Sequence, residues 1–173
     1  MSLSILARIL TVVLAILCVA SCALKKTEDI GERQPVAQNP VSYFELPVTE
    51  MERAIRFYEA VFQTTLERTV IDGYEMALFP FDDKGEGISG ALAKGDSYVP
   101  SLTGPRIYFF VENIDETLAR ATSSGGKIAY SKTDVGDFWV AEFKDTEGNQ
   151  IALSASKNPA SKNPVSKSTS SNE

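Results

Sequence analysis

Val41–Phe62 reads VSYFELPVTEMERAIRFYEAVF. Its opening alternates. Phe44, Leu46 and Val48 fall on one face and Tyr43, Glu45 and Pro47 on the other, which is the period of a strand. Thr49 with Glu52 three residues later has the spacing of a capping box and predicts a helix start. Met51, Ala54, Ile55, Tyr58, Val61 and Phe62 then recur at helical spacing as one apolar stripe, with Arg53, Arg56 and Glu59 outside it. The stripe is predicted to pack on Phe44, Leu46 and Val48.

The same order returns later. Between the copies, Thr65–Ile71 and Tyr74–Phe79 read as strands joined at Asp72-Gly73, a hairpin signal. Pro80 ends the second of them, Asp82–Gly87 is a polar turn, and Ile88–Ala93 is a further strand. Gly95–Gly104 connects the halves. Arg106–Val111 then alternates Ile107, Phe109 and Val111 against Arg106, Tyr108 and Phe110. Asn113 caps a helix with stripe Ile114, Thr117, Leu118 and Ala121, and Gly125-Gly126 stops it. Lys127–Ser131, Phe138–Lys144 and Gln150–Ser154 are predicted strands, with Asp145–Asn149 as the last turn. A shift of 63 residues lays Val48 on Val111, Met51 on Ile114, Ile55 on Leu118 and Ile88 on Ile151, although Thr49 and Asn113 disagree by one. Two copies of β-α-β-β-β specify an α+β fold more firmly than either alone.

Composition narrows the chemistry. The chain has 173 residues, 43% hydrophobic and 23% charged, which suits one domain with appendages. A formal charge of −6 leaves no basic face for nucleic acid. There is no histidine, so the commonest general base and transition-metal ligand is absent, and acid–base work would fall to Glu, Asp, Tyr or Lys. The two cysteines, Cys18 and Cys22, both lie in the N-terminal apolar segment, so no disulfide framework or thiolate site can form in the domain. Gly85-Glu86-Gly87 and Gly125-Gly126-Lys127 lack phosphate-loop spacing. The Asp82-Asp83 pair and Asp145 with Glu147 are read as solvated turn charges.

Residues 1–22 read as an export signal, with Arg8 as the sole charge and an apolar run too short for a comfortable bilayer span. Val19-Ala20-Ser21-Cys22 resembles a bacterial lipobox, which implies cleavage before Cys22 and lipid on its sulfur. The alternative is an uncleaved anchor over Leu3–Leu24. Both readings tether the protein to a membrane in a bacterial cell envelope; Ala23 after the cysteine favours an outer membrane. Residues 23–40 form a charged, Pro-bearing tether. Residues 155–173, with Ser-Lys-Asn-Pro twice, have a composition that cannot build a core and are predicted to be a disordered tail.

The domain over 41–154 resembles the vicinal oxygen chelate superfamily, which includes glyoxalase I, extradiol dioxygenases and bleomycin-resistance proteins. The resemblance is carried by FELPVTEMERAIRFYEAVF, by GGKI and by DTEGNQIAL. It implies two βαβββ modules forming a mixed eight-stranded half-barrel, helices on the outer face and a cleft inside. Gln63 departs from it, standing where a glycine usually follows the helix; a non-glycine left-handed stop costs about 1 kcal/mol. The resemblance also implies four inward metal-ligand positions. They fall here on Tyr43, on Ser89 or Gly90, on Arg106 and on Ala152, a set that does not suit a cation.

Strand alternation lines the cleft with Tyr43, Glu45, Ser89, Ala91, Arg106, Tyr108, Phe110, Ala152 and Ser154. Either Phe138, Val140 and Glu142 or Trp139, Ala141 and Phe143 join them. The functional reading is a metal-free site, with no cofactor, where a small molecule meets the Arg106 fork and the rings of Tyr43 and Tyr108. Homodimerisation is an option. The plainer alternative is that Glu45 and Arg106 neutralise each other in a filled barrel. Two other functions compete: a glyoxalase- or dioxygenase-type enzyme with atypical ligands, including a metal-free lyase or isomerase using Glu45 and Tyr43, and a structural envelope lipoprotein.

Overall fold

The computed structural model describes residues 40–82 and 87–158. Cys22 with the export signal, nearly all of the 23–40 tether, Asp83, the Gly85-Glu86 turn and the tail beyond residue 158 lie outside the described residues.

The first module runs β1 (Tyr43–Pro47), α1 (Met51–Phe62), β2 (Glu67–Ile71), β3 (Tyr74–Leu78) and β4 (Ser89–Lys94). The second repeats it as β5 (Tyr108–Phe110), α2 (Ile114–Ser123), β6 (Lys127–Asp134), β7 (Phe138–Lys144) and β8 (Gln150–Ser156). Hydrogen bonds group the strands into two four-stranded sheets, ordered β1-β4-β3-β2 and β5-β8-β7-β6. In each, the first strand lies parallel to the last and the other pairs are antiparallel, as a βαβββ chain requires.

Three local details differ from the sequence reading, each for a physical reason. The cap of α1 is Glu50, whose carboxylate accepts from the backbone N–H of Glu52 and Arg53, because the Thr49 hydroxyl is taken by Glu147. Glu50 and Asn113 now stand 63 residues apart, so the repeat extends to the caps. The last strand runs to Ser156, beyond the predicted end at Ser154, because β7 continues opposite it through the Phe138–Ser156 pair. Arg106 precedes β5 rather than opening it.

The turns follow the sequence. Asp72 and Gly73 both take positive φ, 50° and 81°, so Ile71 pairs directly with Tyr74. Gln63 adopts φ 52°, ψ 46° at the end of α1, the left-handed stop expected of it.

The core lies between the helices and one face of each sheet. Leu46, Val48, Met51, Ala54, Tyr58, Val61 and Leu92 from the first module join Ile114, Ala121, Phe143, Ile151 and Leu153 from the second in one cluster. Aromatic rings cross the boundary: Phe62 stacks on Phe109 at 4.4 Å, and Phe44 meets Phe109 edge to face at 5.7 Å. Phe57 reaches Phe143 at 5.9 Å. Each such ring or aliphatic side chain contributes about 1.5–3 kcal/mol when fully buried, so the modules share a core that neither would hold alone.

Candidate functional site

Alternation leaves the opposite face of each sheet to build a site. Register fixes its members. Tyr43 pairs with Ser89, Glu45 with Ala91, Tyr108 with Ala152 and Phe110 with Ser154. On β7, Glu142 pairs with Ala152 and Val140 with Ser154. The set Phe138, Val140 and Glu142 therefore shares this open face, while Ala141 and Phe143 point into the core. Trp139 packs against that core, with the ammonium groups of Lys132 and Lys157 over its ring at 5.0 and 4.5 Å.

The floor of the open face is made of small, buried side chains, Ala91, Ala152 and Ser154. Aromatic side chains stand around it: Tyr43, Tyr108 and Phe110 remain 43%, 49% and 41% exposed. Phe44 and Phe109, their neighbours in sequence, meet on the core side. The first strands of the two modules thus bring their aromatic edges to the same side of the molecule. Burial, then the nearby Glu45 carboxylate, raises the Tyr43 phenol above its usual range.

The charges do not pair as Glu45 with Arg106. The Arg106 Nε lies 3.2 Å from Glu142 Oε2, and its Nη1 donates to the Gly104 carbonyl at 3.0 Å. Glu142 also accepts from the Gln150 amide. Glu45 instead accepts from the Tyr98 hydroxyl at 2.8 Å. Tyr98 comes from the connection between modules, a segment without periodicity, so nothing in the sequence pointed to it. Glu142 was on one of two faces that alternation alone could not separate.

A second polar cluster was misread as solvated turn charge. Asp145 and Glu147 are each only 8% exposed. Asp145 Oδ1 accepts from the backbone N–H of Glu147, Gly148 and Asn149, and Oδ2 from Tyr58 and Asn149. Glu147 reaches into the other module. It accepts from the N–H of Thr49 and Glu50, the Thr49 hydroxyl, and both Nε and Nη2 of Arg53. Burial opposes its charge, but Arg53, then Glu50 and Thr49, outweigh that and hold the carboxyl down at about 2. Burial, reinforced by Asp145, pushes the Tyr58 phenol well above its usual range. The carboxylates of Asp145 and Glu147 are taken up by donors inside the fold, so this cluster joins the modules.

The metal positions implied by the resemblance can be tested against this geometry. Gly90 pairs with Phe44 on the core side, which leaves Ser89 as the inward residue. The Ser89 hydroxyl donates to the carbonyls of Phe79 and Pro80 at 3.2 and 3.0 Å. Tyr43 is a phenol shifted toward its neutral form, Arg106 is a cation, and Ala152 has no donor atom. These side chains do not fit a divalent ion. Among the described residues no group of three or more His, Cys, Asp or Glu could hold one.

Comparison with known proteins agrees with the architecture. A hypothetical protein from S. aureus shares 18% identity, covering 68% of this chain and 93% of its own, at a TM-score of 0.53. A glyoxalase/bleomycin resistance protein from Albidiferax ferrireducens shares 14%, covering 68% and 99%, at 0.52. An antibiotic binding protein from a Streptomyces species shares 22%, covering 69% and 98%, at 0.50. These likenesses establish the fold. No curated protein matches the sequence. The family match extends over residues 41–153, which takes in all of the site just described except Ser154, and the chain belongs to the Glyoxalase/Bleomycin resistance protein/Dioxygenase superfamily.

Proposed function

We propose that this domain binds a small molecule, without a metal, on the open face shared by β1 and β5, and that lipid on Cys22 tethers it to a bacterial envelope membrane. The observation that carries the binding reading is that Tyr43, Tyr108 and Phe110 stay exposed on strands whose partners on the same face, Ser89, Ala152 and Ser154, are small. Exposed rings cost solvation that folding has not recovered, and a planar ligand recovers it. Arg106 is already matched by Glu142. The face therefore suits a neutral or zwitterionic planar molecule better than a bare anion. That one protein of like fold is an antibiotic binding protein lends this reading support.

A thermal-shift screen of planar aromatic compounds tests it. A ligand is expected to stabilise the wild type by several degrees and to bind Tyr108→Ala about two- to tenfold more weakly, since a ring contact is worth about 0.5–1.5 kcal/mol. A screen without a stabilising compound, or equal binding to the variant, removes the reading. Stoichiometric zinc, nickel, iron or manganese in the purified protein removes its metal-free part. For the tether, Cys22→Ala is expected to abolish palmitate labelling and move the protein from the membrane to the soluble fraction; a variant that stays membrane-bound and unlabelled points to the uncleaved anchor instead.

A further inference from the structure

Tyr98 occupies the first module's half of the open face as a ligand would. Its ring packs on Met76, Ala91 and Ala93, which form a small cluster apart from the main core, with Tyr74 and Leu78 around it. It meets the Tyr74 ring edge to face at 5.3 Å and 86°. Its hydroxyl donates to Glu45 at 2.8 Å. The seat is built for this approach: a side chain on Gly95 would begin 2.4 Å from the Tyr74 ring, so glycine there lets the Tyr74–Tyr98 pair close. The Glu45 contact also pushes the Tyr98 phenol up to about 12, so it stays a donor at any ordinary pH.

Among the described residues the second module shows no counterpart to this plug. Its half of the face keeps Tyr108 and Phe110 exposed beside the Arg106–Glu142 pair. The modules have the same fold and differ in that one half is filled by the chain's own phenol. Tyr98 itself sits on the connecting segment outside every helix and strand, held there by the Tyr98 N–H to Gly95 carbonyl bond at 3.0 Å. The segment on either side is exposed at Ser97 and Val99, and it is tied down again at Ser101, whose N–H donates to Asn149 Oδ1 at 3.3 Å.

We propose that Met76, Ala91, Ala93 and Glu45 form a phenol-binding subsite, which the chain fills with Tyr98 until the phenolic arm of a ligand displaces it. This deepens the open-face reading and rests on it. The apolar floor takes the ring, and Glu45 selects a ring that carries a hydrogen-bond donor. A carboxylate accepts and never donates, so an ether oxygen at the same place forms no hydrogen bond with Glu45 and leaves it to water. Because Tyr98 is tethered beside its seat, its effective concentration is in the millimolar range or above, and simple phenols do not compete with it in the wild type.

The test is chemical rescue of Tyr98→Ala. The variant is expected to melt below the wild type, and p-cresol at ten times its Kd to raise its Tm by about 5 °C. Toluene and 4-methylanisole, which offer the ring without the donor, are expected to do far less, and the wild type is expected not to respond to millimolar p-cresol. Equal rescue by all three compounds, no rescue at all, or an equal response from the wild type overturns the proposal. If Tyr98→Ala does not fold, Tyr98→Val covers Ala91, leaves most of the ring's volume open and carries the same comparison. The two readings fail separately. Rescue with no ligand for the wild type defeats the open-face reading and, with it, displacement by a ligand. A wild-type ligand without rescue defeats the subsite alone.

Discussion

Glu147→Ala is expected to cost about 3–5 kcal/mol of folding stability, read as a large fall in the urea midpoint at neutral pH. Deleting a buried carboxylate that accepts several charge-assisted hydrogen bonds has that order of effect, because the N–H groups of Thr49 and Glu50 lose their acceptor, while the half-exposed Arg53 guanidinium is left to water. The Glu147 side chain is fully buried, and it accepts from the N–H groups of Thr49 and Glu50 and from two guanidinium nitrogens of Arg53, one of which it shares with the Thr49 hydroxyl. It stands at the N-terminus of α1, where backbone N–H groups and the helix dipole favour an anion. It belongs to the β7–β8 turn of the second module, while its donors belong to the first. Losing it therefore removes a polar tie between the modules and leaves the shared apolar core to hold them together.

The same carboxylate sets an acid limit. Its folded value of about 2 lies below its ordinary 4.5. A depressed folded value means that the stabilisation is complete above the unfolded value and fades as pH falls from about 4.5 toward 2. The shift corresponds to about 3 kcal/mol, which matches the cost expected for the alanine variant. Wild type and Glu147→Gln should therefore differ most near neutrality and converge on acidification. A gap that stays constant from pH 7 to 2 would falsify the assignment of this energy to ionised Glu147.

What the sequence made legible was what periodicity can carry. Phe44, Leu46 and Val48 against Tyr43 and Glu45 is a strand with two faces wherever it occurs, and the copy at Arg106–Val111 made the pairing of modules readable. The Asp72-Gly73 turn and the Gln63 stop are local backbone facts and appear as such. What periodicity cannot carry is the partner of a charged group. Arg106 meets Glu142 because β7 runs beside β8, a fact of topology separated by 36 residues. Asp145 and Glu147 look like any solvated turn, and only the approach of the α1 N-terminus from the other module buries them. Tyr98 lies in a connection whose path follows from packing, with no pattern to announce it. The open face was thus readable as a set of strand positions, while the contacts that decide its chemistry were not.

Gly90→Ala is expected to destabilise the domain by about 3 kcal/mol, at the upper end of the cost of inserting a methyl group into a packed core. A Cβ at Gly90 would stand 2.2 Å from the Phe44 carbonyl oxygen and 2.6 Å from its ring. Neither can withdraw easily. The oxygen belongs to the parallel β1–β4 ladder, and the ring is held between Phe79 and Phe109 at 6.0 and 5.7 Å. Ser89→Ala, one residue away on the other face, loses hydrogen bonds to two carbonyls and is expected to cost only about 1 kcal/mol. The contrast between neighbours reads the register directly, by urea unfolding of the two variants. It also bears on which β4 residue takes the position where the family resemblance implies a metal ligand. Gly90 can serve as a ligand position only if it faces inward, and inward-facing glycine would tolerate a methyl group beside Ala152 and Tyr43. A stable Gly90→Ala with an unstable Ser89→Ala would exchange the two faces of β4 and displace Tyr43, Glu45 and the Tyr98 seat from the open side together.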